Sequence, residues 1–456
     1  MVLAACSQNP LTGAPETGDA PGTSQAEAPA GDGEGAGNDA GTGSPPDAGD
    51  DGTRTAETTP QDSEQGETGT PETDRSRRDS SVRPNQPREG APETIELKQP
   101  EGTRDRQTVG LLLPLSGDKA PLGETMLRAA ELAMFDVATA DFQLVVRDTK
   151  GTPRGAEAAA RSAIDAGANL LLGPVFSSSV RDVKPVADGG QVPVLAFSNN
   201  PAVAEQGTYV MGLMPAQQVR RVVSYAVQQG RRNFAVLAPE NAYGELVAGA
   251  MRRAVERYGG TVRHTAFYPP GSQDVSDQVE TLADKGFGDM ADAAVMLPAG
   301  GQQLQTLAPT LPFFDIDPDD VQFLGTALWN DPSLGTEPAL VGGWFAAPPP
   351  NARKRFRERY RDTFANEPGE LASLAYDATA LASLLARRNA KAGKPAASAF
   401  TAEKLTQRNG FAGVDGVFRL NADGTVQRLY AVLEMRRNEL KIIDPAPGQF
   451  EPPVVN

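Results

Sequence analysis

The sequence contains little of the side-chain chemistry on which most metalloproteins and thiol enzymes depend. Among its 456 residues there is one cysteine, Cys6, and one histidine, His264. A single cysteine cannot form an internal disulfide, and a single histidine with no cysteine nearby disfavours a transition-metal site. We therefore expect no bound metal, and we expect His264 to be an ordinary strand or surface residue.

Several sequence signatures of catalysis and of membrane insertion are also missing. The chain has no recognisable Ser/His/Asp set and no phosphate-binding loop of the Gly-x-x-x-x-Gly-Lys type. It also has no run of about 18 apolar residues that would span a membrane. Asp148 and Asp377 are isolated acids, for which hydrogen bonding to the backbone is the simpler role. These absences predict a protein that is not an enzyme and needs no cofactor.

Positive charge is scarce near the N-terminus. Residues 7–74 contain fifteen Asp or Glu against one Arg, a local net charge of −14 out of −16 for the whole chain. The acidity is thus a property of this segment and says little about partners of the remaining chain. Because no basic face with interleaved aromatic residues is present, we expect no binding to nucleic acid.

Aromatic residues are also missing from the beginning of the chain, where the first is Phe135. Residues 7–105 are rich in Gly, Pro, Ala, Thr and acids, and cannot bury enough apolar surface to offset their chain entropy. We predict that this segment is a disordered acidic tether with a root-mean-square reach of roughly 55 Å.

The first six residues end in a pattern that resembles a bacterial lipoprotein box, Leu3-Ala4-Ala5-Cys6. Residues 1–6 would then be the remnant of a lipoprotein signal, with Cys6 as the lipidated residue and its lipid as the only contact with the membrane. A free cysteine is the alternative, because the charged and most of the apolar part of a signal peptide are missing. In similar lipoproteins an aspartate after the cysteine often causes inner-membrane retention, so Ser7 favours the outer membrane.

Residues 108–201 alternate between strand and helix patterns. Strands that alternate with helices build a parallel sheet, and such sheets bind ligands beyond the carboxyl ends of their strands. Serine, asparagine and glycine occupy those ends here, which favours binding of a ligand over its chemical conversion. The strands are predicted at 109–115, 142–146, 170–172 and 192–197, and the helices around 126–137 and 156–166.

A second α/β series follows, so we predict an α/β fold of two lobes, each a parallel sheet flanked by helices, joined by a multi-strand hinge. The chain is expected to cross between the lobes near 214–215, 347–350 and 413–416. Lobe 1 would comprise 106–215 and 347–414, lobe 2 216–346 and 415–446, and 447–456 would be loose. Further strands are predicted at 233–238, 261–268, 293–297 and 322–326, and further helices at 217–229, 245–258, 275–282, 352–365 and 371–386.

Two patterns near the C-terminal end have more than one interpretation. Residues 416–420 and 428–435 flank Asn421-Ala422-Asp423-Gly424, a strong hairpin signal. Phe356, Tyr360 and Phe364 recur at helical spacing, which favours core packing over a ligand-binding stripe. The basic residues around them are interpreted as a solvated face, namely Arg353, Lys354, Arg355, Arg357, Arg359 and Arg361.

Six short segments carry a resemblance to a known family, namely residues 109–117, 129–135, 173–179, 197–200, 242–245 and 375–378. Their order resembles that of type 1 periplasmic binding proteins of the leucine/isoleucine/valine-binding kind, over about 106–445. The phrasing Leu-Leu-Leu-Pro-Leu-Ser-Gly and Pro-Val-Leu-Ala-Phe-Ser-Asn-Asn is most similar to the lipoprotein branch called penicillin-binding protein activators. A full-length activator also has a helical-repeat N-terminal domain, in place of which this chain has the acidic segment.

The resemblance implies a ligand site in the interlobe cleft. Ser177 or Ser178, at the start of a helix, and Ser198 with Asn199 would hold an anionic group, because amides at a helix N-terminus favour anions. Simple helix capping by the serines is the alternative. Ser116 follows the first strand at the same cleft.

The second lobe would contribute fewer ligand-binding residues. Tyr243 corresponds to a tyrosine that closes onto the ligand, with packing near the hinge as its alternative. Asp331 is the candidate partner for a ligand ammonium. Since no clearer ammonium anchor is present, free amino acids are a doubtful ligand.

The resemblance therefore leads to two functional hypotheses. The first is a lipid-anchored periplasmic regulator, an activator of a bifunctional penicillin-binding-protein peptidoglycan synthase. The second is a substrate-binding lipoprotein that delivers amino acids, or a related small anionic ligand, to an ABC permease. Both predict a periplasmic protein with a possible small-molecule ligand in its cleft.

Overall fold

A computed structural model describes residues 106–139 and 142–450. The predicted lipidation residue Cys6, the remnant 1–6 and the tether 7–105 lie outside these residues. Within them, no helix is both long enough and apolar enough to cross a lipid bilayer.

The first sheet has five parallel strands in the order β2-β1-β3-β4-β5. The interior strand that begins at Gln107 is buried along its whole length, as expected where helices cover both faces of a sheet. The strands are β1 (Gln107–Leu113), β2 (Phe142–Asp148), β3 (Leu171–Leu172), β4 (Val194–Ala196) and β5 (Thr208–Val210), and the helices between them are α1 (Ala120–Val137), α2 (Pro153–Asp165) and α3 (Ser177–Gly190).

The second series forms the parallel part of a seven-stranded sheet, in the order β10-β9-β8-β6-β7. Its strands are β6 (Asn233–Pro239), β7 (Thr261–Tyr268), β8 (Ala293–Met296), β9 (Gln322–Gly325) and β10 (Trp344–Ala347). Its helices are α4 (Pro215–Gln228), α5 (Ala242–Arg257), α6 (Ser276–Asp284), α7 (Gly301–Leu307) and α8 (Thr310–Phe313).

The remaining chain returns to the first lobe and then ends in the second sheet. Phe356 and Tyr360 are buried in the hydrophobic core of the first lobe, so the aromatic stripe is core, as predicted. The elements are α9 (Pro350–Phe364), α10 (Ala372–Lys391), α11 (Ala402–Leu405), β11 (Phe411–Gly413), β12 (Gly416–Leu420), β13 (Val426–Arg428), β14 (Ala431–Arg436) and β15 (Glu439–Asp444).

The predicted α/β fold with two helix-flanked parallel sheets is confirmed. Most element boundaries lie within a few residues of the predicted ones. The short strand β10, the edge strand β15 and the helices α7 and α8 were not predicted. These elements are only four to seven residues long, which is too short for hydrophobic periodicity to identify a strand or a helix.

The predicted strand 428–435 is wrong as a single element. Residues up to Arg428 pair with β12 in a small antiparallel sheet, whereas residues from Ala431 pair with β10 and β15 in the second sheet. The local hairpin signal was correct, but burial in two different cores divides the strand after the turn.

The assignment of residues 415–428 to lobe 2 is corrected for the same reason. Phe418, Leu420 and Val426 are buried in the first core, while Tyr430 and Val432 are buried among the helices of the second lobe. The third crossing therefore lies at Leu429–Tyr430 and not near 413–416.

The C-terminal segment from 447 is also better anchored than expected. Phe450 is buried, and the guanidinium carbon of Arg419 lies 4.3 Å from the centre of its ring. Stacking of an arginine on an aromatic face is favourable, so this contact holds residue 450 against the small antiparallel sheet. Residues 451–456 lie outside the described residues.

Candidate functional site

Three strand ends of the first lobe lie side by side, because β1, β3 and β4 are neighbours in a parallel sheet. The sheet therefore brings the residues that follow them, Ser116, Ser177 and Ser198, to one edge. This edge corresponds to the position where open α/β sheets bind ligands.

Ser116 is exposed, but its hydroxyl is already engaged. It donates a hydrogen bond of 2.6 Å to Oδ2 of Asp148, at the end of β2, and the backbone N–H of Leu115 donates to Oδ1 of the same carboxylate. Desolvation acts to raise the pKa of Asp148, but the hydrogen bonds from Ser116 and from backbone N–H groups outweigh it and lower that pKa. Asp148 thus ties two loops together, which is the backbone-bonding role expected for it.

The start of α3 presents hydroxyl groups that the fold does not use. The N-cap position is occupied by Phe176, which offers no side-chain acceptor, so the serines do not cap this helix. Ser177 is half-buried and Ser178 is exposed, and neither hydroxyl bonds to another described residue. The capping alternative is therefore wrong for these two residues.

Ser179 is a further residue at this helix start, and sequence reasoning missed it. Its side chain is 1% exposed, and its hydroxyl has no hydrogen-bond partner among the described residues. Buried hydroxyls are normally paired, since an unpaired one forfeits its hydration without compensation. The run of three serines was the only sequence signal that could have identified it.

The loop after β4 uses part of its polar groups internally. The hydroxyl of Ser198, which is buried, accepts a hydrogen bond of 3.2 Å from the N–H of Asn200. Asn200 in turn caps the helical turn Pro201–Val203. The side chain of Asn199 is exposed and bonds to none of the described residues, so it is the more available group of this pair.

In the second lobe the ends of β6, β8 and β9 are likewise neighbours. Tyr243, in the first turn of α5, shares a hydrogen bond of 2.8 Å with Oγ1 of Thr326, which follows β9. Burial raises the pKa of Tyr243 to about 12, although the bond to Thr326 acts in the opposite direction, so the phenol is neutral near pH 7. Thr326 was missed because a single threonine at a strand end has no distinctive pattern.

Buried or hydrogen-bonded side chains anchor the loop after β9, and Asp331 is one of them. Trp329 is fully buried and its indole N–H donates to the carbonyl of Leu297, 3.1 Å away. Asp331 is exposed, and its Oδ1 accepts a hydrogen bond from the N–H of Ser333. Through this bond Asp331 caps the turn Pro332–Thr336. Asp331 forms no hydrogen bond with Tyr243, the other residue predicted for this lobe, or with Thr326.

A buried ionic cluster lies at the third crossing. The carboxylate of Asp377 accepts hydrogen bonds from the N–H groups of Val414, at 2.7 Å, and Asp415, at 3.4 Å, as expected for an isolated acid bonded to backbone. The guanidinium of Arg428 lies 4.0 Å from the Asp377 carboxylate and donates to the carbonyls of Asp415 and Met211. This cluster joins two of the three crossings, and sequence reasoning did not identify Asp415 or Arg428.

The described residues offer little for metal binding. His264 lies on β7 and its Nδ1 is 2.9 Å from the amino group of Lys285, which agrees with an ordinary strand residue. No group of three or more His, Cys, Asp or Glu side chains in 106–139 and 142–450 is arranged to hold a metal ion. The arrangement at both sheet edges can donate and accept hydrogen bonds to a ligand.

Comparison with known proteins places this architecture in context. A family model described as periplasmic binding protein matches residues 106–439. A penicillin-binding protein activator of Glaesserella parasuis is 30% identical over 161 residues, which is 34% of this chain and 27% of the relative. A Leu/Ile/Val-binding protein homologue of Brucella melitensis is 25% identical over 190 residues, 39% of this chain and 52% of the relative.

A solved structure adds information on the fold alone. An ABC transporter substrate-binding protein from Sphaerobacter thermophilus has a TM-score of 0.60 and 18% identity, and the match covers 74% of this chain and 96% of that protein. The chain thus spans about half or less of the length of the two sequence relatives above, but nearly all of this structural one.

Proposed function

Because this chain belongs to the periplasmic binding protein family, we propose that it regulates a penicillin-binding-protein peptidoglycan synthase in the cell envelope. In this proposal a lipid on Cys6 anchors the protein, with the outer membrane favoured by Ser7, and the acidic segment 7–105 lets the folded part work away from the membrane. The regulation is by contact, and the protein itself catalyses no reaction.

One observation favours the regulator over a protein that delivers amino acids to a transporter. The carboxylate that the sequence suggested for a ligand ammonium, Asp331, is exposed and caps a turn. A buried ammonium needs a paired counter-charge, since an uncompensated charge in a closed cleft is strongly unfavourable. Similarity to the activator of Glaesserella parasuis supports the same choice, although it covers a third of this chain.

The proposal is tested in the native envelope with the full chain. A tagged protein is cross-linked in living cells, and co-purified proteins are identified by mass spectrometry. We expect enrichment of a bifunctional peptidoglycan synthase, and faster glycan polymerisation when the two purified proteins are mixed. The Cys6→Ser variant, which cannot be lipidated, serves as the control and should lose the envelope association. A synthase that is neither enriched nor accelerated would contradict the proposal.

A second candidate, a substrate-binding protein for an ABC permease, is favoured by the start of α3. The hydroxyls of Ser177 and Ser178 bond to no described residue, and Ser179 is buried without a partner. Together with the amides of the first helical turn, they could hold a carboxylate. The Brucella melitensis relative is itself named for binding leucine, isoleucine and valine.

Calorimetric titration with leucine, isoleucine and valine separates the two candidates. The transport function requires micromolar binding that the Ser177→Ala/Ser178→Ala variant weakens, with closure of the lobes seen by small-angle X-ray scattering. The regulator requires no binding of these amino acids. A signal that survives in the double serine variant would place the ligand away from the start of α3.

A further inference from the structure

The first lobe contains a second concave site besides the strand ends. A cavity of about 780 Å³ is enclosed by the last turn of α1, by α9 and α10, and by residues 407–414, which include β11. None of the seven residues predicted for the interlobe site lines it. Its volume lies within the range of roughly 300–1,000 Å³ that is typical of small-molecule sites.

The rim of this cavity is cationic. Arg355 and Arg359 lie one turn apart on α9 and therefore on one face of it. Arg387 and Arg388 approach from the C-terminal part of α10. Four arginines thus line one cavity, whereas the sequence suggested only a solvated basic face for α9.

One of these four arginines is neutralised. Arg359 donates to Oδ1 of Asp136 at 3.0 Å, and Oδ2 of the same carboxylate accepts from the hydroxyl of Tyr376, also at 3.0 Å. The guanidinium groups of Arg355, Arg387 and Arg388 make no hydrogen bond or ion pair with the residues that the structure describes. The rim therefore has a positive charge that is not compensated locally.

The floor of the cavity is apolar. Phe356, Leu381 and Phe411 line it and are each less than a tenth exposed. The ring of Phe356 meets that of Tyr376 edge to face, with 5.3 Å between the ring centres. Asp377 also borders the floor, but its carboxylate is engaged with the backbone of Val414. A ligand would meet hydrocarbon below and guanidinium groups above.

We propose that this cavity binds a small amphipathic anion, a carboxylate or phosphate monoester on an aliphatic or aromatic body. Guanidinium forks match both head groups through paired charge-assisted hydrogen bonds. The apolar body would be removed from water against the floor, which stabilises the complex in proportion to the area buried. The same charge arrangement disfavours cations of equal hydrophobicity.

The test uses the full chain and the fluorescence of anilinonaphthalene sulfonate, an anionic aromatic probe. Decanoate, decyl phosphate and decylammonium then compete with it below their micellar concentrations. We expect both anions to displace the probe and decylammonium to leave it bound, and the better of the two anions identifies the head group. Equal displacement by decylammonium would overturn the proposal, because hydrophobicity alone would then explain binding.

Substitutions locate the probe. The Arg355→Gln/Arg388→Gln variant should bind it about tenfold more weakly, as expected for lost charge-assisted bonds. The matched control is Arg357→Gln/Arg361→Gln on the same helix, where both side chains are exposed and pair with Glu367; it should bind as wild type. Ala380→Phe, which fills the cavity without removing charge, should also weaken binding.

Two results would refute the assignment. Wild-type affinity in the Arg355→Gln/Arg388→Gln variant would mean that the probe binds elsewhere. Co-sedimentation with phosphatidylglycerol vesicles that this variant loses, combined with no competition by decanoate or decyl phosphate, would show that the arginines contact a membrane surface instead. Circular dichroism verifies that each variant is folded, and the exposed positions of Arg355 and Arg388 make loss of the fold unexpected.

Discussion

At the scale of single residues, Asp377 has a carboxylate whose surroundings oppose its charge. Burial and the nearby Asp415 raise its pKa to about 7, while Arg428 and the N–H groups of Val414 and Asp415 act in the opposite direction. The proton therefore binds more tightly in the folded state than in the unfolded chain, where the pKa is near 3.8. Linkage then makes the stability depend on pH.

The sign of that dependence leads to a prediction for Asp377→Asn. Between about pH 4 and pH 7 the folded state keeps a proton that the unfolded state has lost, so wild-type stability falls as the pH rises. Below pH 4 and above pH 7 this contribution is constant. We expect the variant to lack the decline, as measured by urea denaturation across that range.

Asp148→Asn is the control of opposite sign. The pKa of Asp148 is lowered in the folded protein, so its contribution is present at neutral pH and is lost as the pH falls through the acidic range. This variant should flatten the acid limb of the stability profile and leave the limb between pH 4 and 7 unchanged. An identical decline in wild type and Asp377→Asn would show that the Asp377 proton is not linked to folding.

At the scale of elements, the polar loops around the candidate site depend on caps. The carboxamide of Asn241 accepts from the N–H of Gly244 at 2.9 Å and so begins α5, which positions Tyr243. On α2 the hydroxyl of Thr152 accepts from the N–H of Gly155 in the same manner. Asn and Thr are favoured at such positions because they satisfy helix N–H groups that have no partner within the helix.

We predict that Asn241→Ala lowers the free energy of unfolding by about 1 kcal/mol through loss of the cap. The same substitution at Asn199, which is exposed and bonds to no described residue, should leave stability unchanged. Thermal and urea denaturation measure both. Equal stability of the two variants would mean that the first turn of α5 is held by packing alone.

The predicted hairpin shows why elements can be only partly predicted from sequence. Asn421–Gly424 forms the turn, and Gly424 has a φ of 80°, which favours glycine. Which sheet the next strand joins depends on contacts far away in sequence. Gln217 on α4 bonds to the carbonyl of Val426 and the N–H of Arg428, and Arg221 bonds to the carbonyl of Tyr430, so α4 holds the chain as it crosses.

At the scale of the whole molecule, the two lobes are joined where Arg428 lies. Its guanidinium donates to the carbonyl of Met211 in the first crossing, at 3.3 Å, and to that of Asp415, at 3.1 Å. It also lies 4.9 Å from the ring centre of Phe418. A single buried side chain thus contacts the backbone beside both the first and the third crossing.

Replacement of Arg428 by Met should therefore destabilise the protein strongly. Removing one partner of a buried ion pair leaves the other, here Asp377, without its counter-charge, at a typical cost of about 3–5 kcal/mol. We expect the Arg428→Met/Asp377→Asn double variant to recover part of that loss, because the side chain at position 377 is then neutral. Chemical denaturation of wild type, both single variants and the double variant forms the thermodynamic cycle.

Additive losses in that cycle would show that Arg428 and Asp377 act independently. Arg221→Met is a useful comparison, since Arg221 also bonds to a crossing carbonyl but is one-fifth exposed and pairs with Asp444. Its loss should cost less, because water can solvate the groups that remain.

The sequence by itself determined the α/β class, the two series of strands and helices, and the core role of Phe356 and Tyr360. These follow from apolar periodicity and residue order, which act over short distances along the chain. The family was indicated by the resemblance of six short segments to known proteins. The sequence also brought Ser177, Ser198 and Tyr243 to strand ends, because parallel strands end at a common edge.

Only the tertiary structure decided which polar groups remain available and which are used by the fold. Asp331 bonds to the backbone of Ser333, and Ser198 bonds to the backbone of Asn200. Thr326 and Ser179 were added to the candidate site. Arginines of α9 and α10 line one cavity. Arg428 meets Met211 across more than two hundred residues. Such contacts depend on how the lobes and helices pack, and no pattern confined to neighbouring residues encodes the distance between two side chains that are far apart in the chain.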